Sequence, residues 1–179
     1  LSKQKKILGE ERRQLILKWL MESNEPITGN ELATKTNVSR QVIVQDISIL
    51  KAREHQIFPT SQGYMYLKPK TASVVRQVIA CQHGPKDTKE ELMIFVEHGV
   101  TVLDVIVEHQ VYGELTASLR VSNRQEVENF INKISETNAS FLSELTEGTH
   151  LHTVEAESHK QIDDACRKLK ERGFLLSSS

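Results

Sequence analysis

His150 and His152 stand two positions apart in Thr149-His-Leu-His-Thr153. On an extended strand that spacing turns both rings to one face, roughly 7 Å apart along the chain. Two neutral imidazoles so placed can converge on one divalent ion at about 2.0–2.1 Å. A His-x-His pair is a common pattern, however, and most such pairs bind nothing. His83 ends a β-branched run at Gly84-Pro85, where a ring sits at a sheet edge near a helix entrance. Glu91 lies one position before Leu92 and one turn before Phe95, at the rim of an apolar helical stripe, so its carboxylate can lean toward His83. The other groups have plainer readings. His98 precedes Gly99 at a helix C-terminus, where the dipole favours an imidazolium. His109 ends a strand beside a turn, His159 falls in the first turn of a helix, and His55 closes a helix where it can touch phosphate. Cys81, two before His83 on the same strand face, reads as buried packing, and Cys166 as core.

A second set of residues suits a different chemistry. With Val42, Ile43, Ile47 and Leu50 facing inward, one helix turns Ser39, Arg40, Gln41, Val44, Gln45, Ser48 and Lys51 outward. Arg can grip guanine through two hydrogen bonds, Gln can do the same for adenine, and Val44 can meet a thymine methyl. Polar residues belong outside any helix, so this face gains meaning only from its surroundings.

Those surroundings must be built by the elements. Glu10–Ser23 places Leu15, Ile16, Trp19 and Leu20 on one helical face. Thr28-Gly-Asn-Glu31 is a capping box that opens a short helix carrying Leu32 and Ala33 inward. A tight turn at 35–38 leads to Ser39, the cap of the outward-reading helix, which runs to about Glu54. Ile57–Leu67 then reads as a hairpin with Gly63 near its turn. Helix, short helix, turn, longer helix and hairpin are the order of a winged helix-turn-helix. Beyond residue 70 the pattern changes. Val74–His83, Val100–His109, Glu114–Val121 and Thr149–Ala156 read as strands, with Phe174–Leu176 as a closing strand. Between them, capping signals at Asp87-Thr-Lys-Glu90, Ser122-Asn-Arg-Gln125 and Ser158-His-Lys-Gln161 open three amphipathic helices. The middle helix carries Val127, Phe130, Ile131 and Ile134. One apolar stripe per helix predicts a two-layer α/β sandwich with helices on one sheet face. The expected fold class is therefore α+β, with a DNA-binding domain over 1–70 and a second domain over 71–179.

The segment Ser39-Arg-Gln-Val-Ile-Val-Gln-Asp46-Ile-Ser-Ile-Leu50 resembles the S-R-Q-x-x-x-x-D-I-x-x-L pattern of bacterial repressors with biotin-repressor-like DNA-binding domains. A more specific resemblance covers nearly the whole chain. A winged helix followed by Gln82-His83-Gly-Pro, Glu91 and Leu145-Thr-Glu-Gly-Thr-His150-Leu-His152-Thr is similar to the three-histidine (3H) domain regulators. Their best-understood members are niacin-responsive repressors of NAD-precursor genes. The resemblance implies an HPr-like, mostly antiparallel second domain. It implies that His83, Glu91, His150 and His152 hold a divalent transition metal, nickel, zinc or similar, and that nicotinic acid acts as corepressor. It assigns no nicotinate contact beyond the metal. The implied protein binds operator DNA as a homodimer, with recognition helices about 34–36 Å apart.

Charge sharpens that picture. The formal net charge of -1 divides into 12 Lys+Arg against 7 Asp+Glu over residues 1–70, and 11 against 17 beyond them. Six of the seven histidines fall in the acidic part. Two cysteines cannot make a stapling framework, which suits a reducing compartment. No apolar run approaches the roughly 20 residues needed to span a bilayer, so a cytoplasmic protein without a membrane partner is expected. Two rivals are a repressor for which the metal itself is the effector, and a metal-dependent hydrolase fused to a DNA-binding module. The second lacks H-E-x-x-H, a Ser-His-Asp order and a Gly-rich phosphate loop, so no enzyme is expected.

Overall fold

The computed structural model describes residues 7–68 and 73–176. The chain forms two compact units, Leu1–Lys70 and Thr71–Ser179. Among the described residues, no helix is long and apolar enough to cross a membrane.

The first unit runs α1 (Gly9–Glu22), α2 (Gly29–Thr36), α3 (Arg40–Ala52), β1 (Ile57–Thr60) and β2 (Gly63–Tyr66). The Thr28–Glu31 capping box forms, and Ser39 accepts the Val42 N–H at the head of α3. Ile16, Leu20, Leu32, Ile43, Ile47, Leu50 and Ile57 make the core. Leu15 and Val42, expected inside, are only half-buried. Apolar periodicity also misses a buried ion pair in this unit. Arg12 Nε reaches Asp46 Oδ2 at 2.5 Å, and Arg13 joins at 3.1 Å, tying α1 to α3. β1 and β2 pair antiparallel, Ile57 opposite Tyr66 and Thr60 opposite Gly63. Gly63 has φ 129°, and a Cβ there would lie 2.7 Å from the Ile27 carbonyl. Only glycine lets the hairpin press this close to the segment before α2.

The second unit runs β3 (Val75–Gln82), α4 (Thr88–Glu97), β4 (Thr101–His109), β5 (Gly113–Val121), α5 (Arg124–Thr137), β6 (Thr149–Ala156) and α6 (His159–Glu171), with 3₁₀ turns at Pro85–Asp87 and Leu142–Thr146. The sheet order is β3-β6-β4-β5, antiparallel throughout. Ile79, Cys81, Val102, Leu119, Val121 and Val154 pack against Leu92, Phe95, Val127, Ile162, Ala165 and Leu169 of the helices. The fold class is α+β, as expected.

Three local expectations need correction. Asp87 makes no side-chain cap, because the 3₁₀ turn beginning at Pro85 has already set its backbone in a helical conformation. Glu90 pairs instead with Arg172 across the unit, at 2.6 Å. The cap of α5 is Asn123, one residue later than Ser122, and Asn123 accepts the Glu126 N–H. Phe174–Leu176 forms only a bridge, Leu175 opposite Cys81, with flanking backbone bonds to Gln82 and Ala80.

Candidate metal centre and nucleic-acid face

The register of the β3–β6 pair sets Cys81 opposite His150 and Ile79 opposite His152. His150 and His152 therefore share the helix-covered face of the sheet, and His83 follows two residues beyond Cys81. α4 lays Glu91 over this end of the sheet. The four predicted ligands come together, each side chain no more than 3% exposed. Glu91 Oε2 lies 2.5 Å from His83 Nε2 and 2.9 Å from His150 Nε2, and Oε1 lies 2.7 Å from His152 Nε2. The rings have leaned together from their spacing along the strand: the His150 and His152 centroids are 4.8 Å apart.

What aims the rings is backbone. His83 Nδ1 meets the Gly84 carbonyl at 2.9 Å, His150 Nδ1 that of Gly148 at 2.8 Å, and His152 Nδ1 that of Asp104 at 2.7 Å. A carbonyl only accepts, so each Nδ1 carries the hydrogen and donates it. A neutral ring then turns a bare Nε2 lone pair toward an anionic carboxylate. That arrangement calls for positive charge among the four groups, supplied by protons or by a metal ion. Burial works against charge on Glu91, yet His152, His150 and His83 hold its carboxyl well below the usual range. Burial likewise opposes an imidazolium at His83 and His152, and Glu91 outweighs it, raising both. Three oriented imidazole nitrogens and a carboxylate make a donor set for a divalent transition ion, not for magnesium or calcium. The residues present fit such an ion.

Cys81 Sγ, a Glu91 oxygen and a His150 ring nitrogen all lie within 4.8 Å of one another. Burial and the Glu91 charge push the Cys81 thiol far above its ordinary value, so it stays protonated in the metal-free protein. It sits in the core at 0% exposure.

Two supports escape a sequence reading. Asp104 sits where β4 carries an extra residue against β6, between the pairs Val102–Val154 and Ile106–Leu151. That bulge frees its carbonyl for His152, while its carboxylate takes the Thr153 N–H at 2.8 Å. The only signal is an acid inside the run Thr101-Val-Leu-Asp-Val-Ile-Val107. Gly148 has φ 94°, and a Cβ there would lie 2.3 Å from the His83 carbonyl. The close approach lets the His83 N–H reach the Gly148 carbonyl as well.

A small cavity of about 30 Å³ adjoins the cluster, with Leu92, Val105, Leu119, Phe130 and Phe141 among its apolar walls. Of the predicted α5 stripe only Val127 is fully buried, and Phe130 faces this cavity. His98 and His109 of this unit make contacts of their own. His109 Nδ1 accepts the N–H groups of Val111 and Tyr112, His98 Nδ1 donates to the Ile94 carbonyl, and His159 is exposed.

On the first unit, Arg40, Gln41 and Gln45 are exposed along α3, and Val44 is half-buried. Ser39 spends its oxygen on the helix cap, and Ser48 donates to the Val44 carbonyl at 2.9 Å. Arg40, Gln41, Gln45 and Lys51 thus offer this face its exposed donors and acceptors.

A family model described as a 3H domain matches residues 76–178, and one described as an HTH domain matches residues 12–65. The chain is 52% identical over 178 residues to the transcription repressor NadR of Bacillus subtilis (strain 168), covering 98% of this chain and 99% of that protein. It is 40% identical over 171 residues to the probable transcription repressor NiaR of Thermotoga maritima, covering 96% and 97%.

Proposed function

We propose, from the premise that the chain belongs to the 3H-domain family of helix-turn-helix transcription repressors, that it represses transcription in response to nicotinic acid through a divalent-metal centre. The relatives are named repressors, not enzymes. One observation carries the reading. Three buried imidazoles, each oriented by a backbone carbonyl, turn Nε2 toward one carboxylate beside an apolar cavity. His83, His150, His152 and Glu91 would hold the ion, and the cavity would hold the ligand. A bound ion supplies a Lewis-acid contact for a carboxylate or a ring nitrogen.

At the other unit, Arg40, Gln41, Val44 and Gln45 would meet base edges in the major groove, and Ser39 and Ser48 would fix the helix that presents them. Two copies would read a pseudo-palindromic operator. Nicotinate acts as corepressor only if it binds the DNA-competent state more tightly than the other, because equal affinity shifts nothing. The test is operator binding by metal-free protein, metal-loaded protein, and metal-loaded protein with nicotinate. Tight binding in the third state alone is expected. Full binding with metal alone would make the ion the effector.

A further inference from the structure

Gly29 opens α2, is buried, and has no positive φ. Its backbone therefore does not call for glycine, and glycine is a poor helix former. Space supplies the reason. A Cβ on Gly29 would lie 3.3 Å from Arg40 Nε, 3.5 Å from Arg40 Cγ and 3.5 Å from Tyr64 Cε2. Two side chains from different elements thus close on the spot that the glycine leaves empty. Arg40 is the first residue of α3, where a side chain leans back toward the helix N-terminus and so over the turn from α2. Tyr64 belongs to β2, and two backbone bonds to Ile27, at 2.8 and 2.9 Å, fix that strand beside the start of α2. The stem of Arg40 lies in a slot floored by Gly29 and walled by Tyr64, while the residue as a whole stays exposed. Among the described residues, its guanidinium has no ion-pair or hydrogen-bond partner. The slot orients the arginine and leaves every donor free.

We infer that Gly29 is a positioning residue for operator recognition: with the Tyr64 ring it holds Arg40 in the pose from which the guanidinium reads DNA. The inference rests on the reading of α3 as the recognition helix and names what aims its first side chain. The N-terminal residues of such a helix are the ones that meet base edges. The two-bond grip of arginine on guanine depends on orientation, and an unrestrained arginine samples many rotamers. Ordering one such side chain on binding costs affinity, and a slot that orders it beforehand spares that cost. A Cβ at position 29 would leave the Tyr64 ring at ordinary van der Waals distance and crowd only Arg40, so the arginine must give way. Its movement breaks no hydrogen bond or ion pair. The loss falls on recognition and not on the fold.

The experiment begins with duplexes that full-length, metal-loaded wild type selects from a random-sequence library in the presence of nicotinate. Affinities for a selected duplex and for random-sequence DNA are then measured at one salt concentration. The proteins compared are wild type, Gly29→Ala, Arg40→Ala and the double variant, each with a melting curve. Gly29→Ala is expected to melt at or above the wild-type temperature and to bind random-sequence DNA as wild type does. Its affinity for the selected duplex should fall by roughly 2–10-fold, the cost of ordering one long side chain. In the Arg40→Ala background the same substitution should change neither affinity, because no arginine is left to aim. A Gly29→Ala protein that holds the selected duplex as tightly as wild type overturns the inference and leaves α3 as the recognition helix. An equal loss with and without Arg40 does the same. A lower melting temperature also overturns it, because the glycine is then required by the fold itself. Failure of wild type to select any sequence overturns the functional reading and this inference together.

Discussion

At the scale of single residues, Glu91 is the group on which the cluster turns. It is fully buried, and all three imidazoles meet its two oxygens. Glu91→Gln keeps the shape but removes the charge and replaces one acceptor oxygen by an NH2 donor. The fold is expected to survive, and metal affinity to fall by more than the roughly 10–100-fold lost when an outer partner is removed. Metal per chain after dialysis against a graded chelator reads this directly. Cys81 makes the opposite case. Its thiol lies close enough to be a ligand, but its burial and strong resistance to ionisation fit packing. Cys81→Ala should retain a full complement of metal and cost about 1 kcal/mol of stability, a typical value for a single substitution. Loss of metal from that variant would make the thiol a ligand. The pairing of His150 with His152 is legible in sequence because a strand has a period of two. Joining His83 and Glu91 to them rests on resemblance, because the contacts span 59 and 61 positions from Glu91 to the two β6 rings and no local pattern records them.

At the scale of elements, the strands and helices are readable almost throughout, since each carries its own apolar period. What escapes is wherever a polar group does structural work. The bulge in β4 is one case. Asp104 replaces a regular ladder position, presenting its carbonyl to His152 and its carboxylate to Thr153. Bulges beside functional sites re-aim side chains in this way. Asp104→Ala should slacken the bulge and weaken metal binding by about 10–100-fold without abolishing it, measured by the same chelator titration. The junction of α1 with α3 is the other case. Glu10 takes Arg53 through two contacts, at 2.9 and 3.1 Å, and also binds Arg13. The Arg53, Arg13 and Gln14 contacts lower its pKa from 4.5 to about 2. A carboxyl with a depressed pKa stabilises the fold above its unfolded value and loses that contribution as pH falls through the folded one. The stability gap between wild type and Glu10→Gln should therefore be present at pH 6, shrink below about 4.5 and close near pH 2. Chemical denaturation at a series of pH values measures it. Because Glu10 is exposed, added salt should narrow the gap at every pH.

At the scale of the whole molecule, a net charge of -1 conceals two unlike units, one of +5 and one of -6. The acidic unit offsets much of the long-range attraction that the basic one offers to phosphate, so unliganded protein should bind non-cognate DNA weakly. On the proposed function, selective repression depends on a coupling free energy between ligand and operator. Such coupling is reciprocal: whatever factor nicotinate contributes to operator affinity, the operator must contribute to nicotinate affinity. The expected factor is about 5–150-fold. Two titrations of metal-loaded protein measure it, operator with and without saturating nicotinate, and nicotinate with and without saturating operator. Both must be run at one salt concentration, because affinity for DNA is meaningless without it. Equal factors well above one in the two directions identify nicotinate as corepressor. A factor of one in both directions would separate the cavity from DNA binding, however tightly the acid is held there.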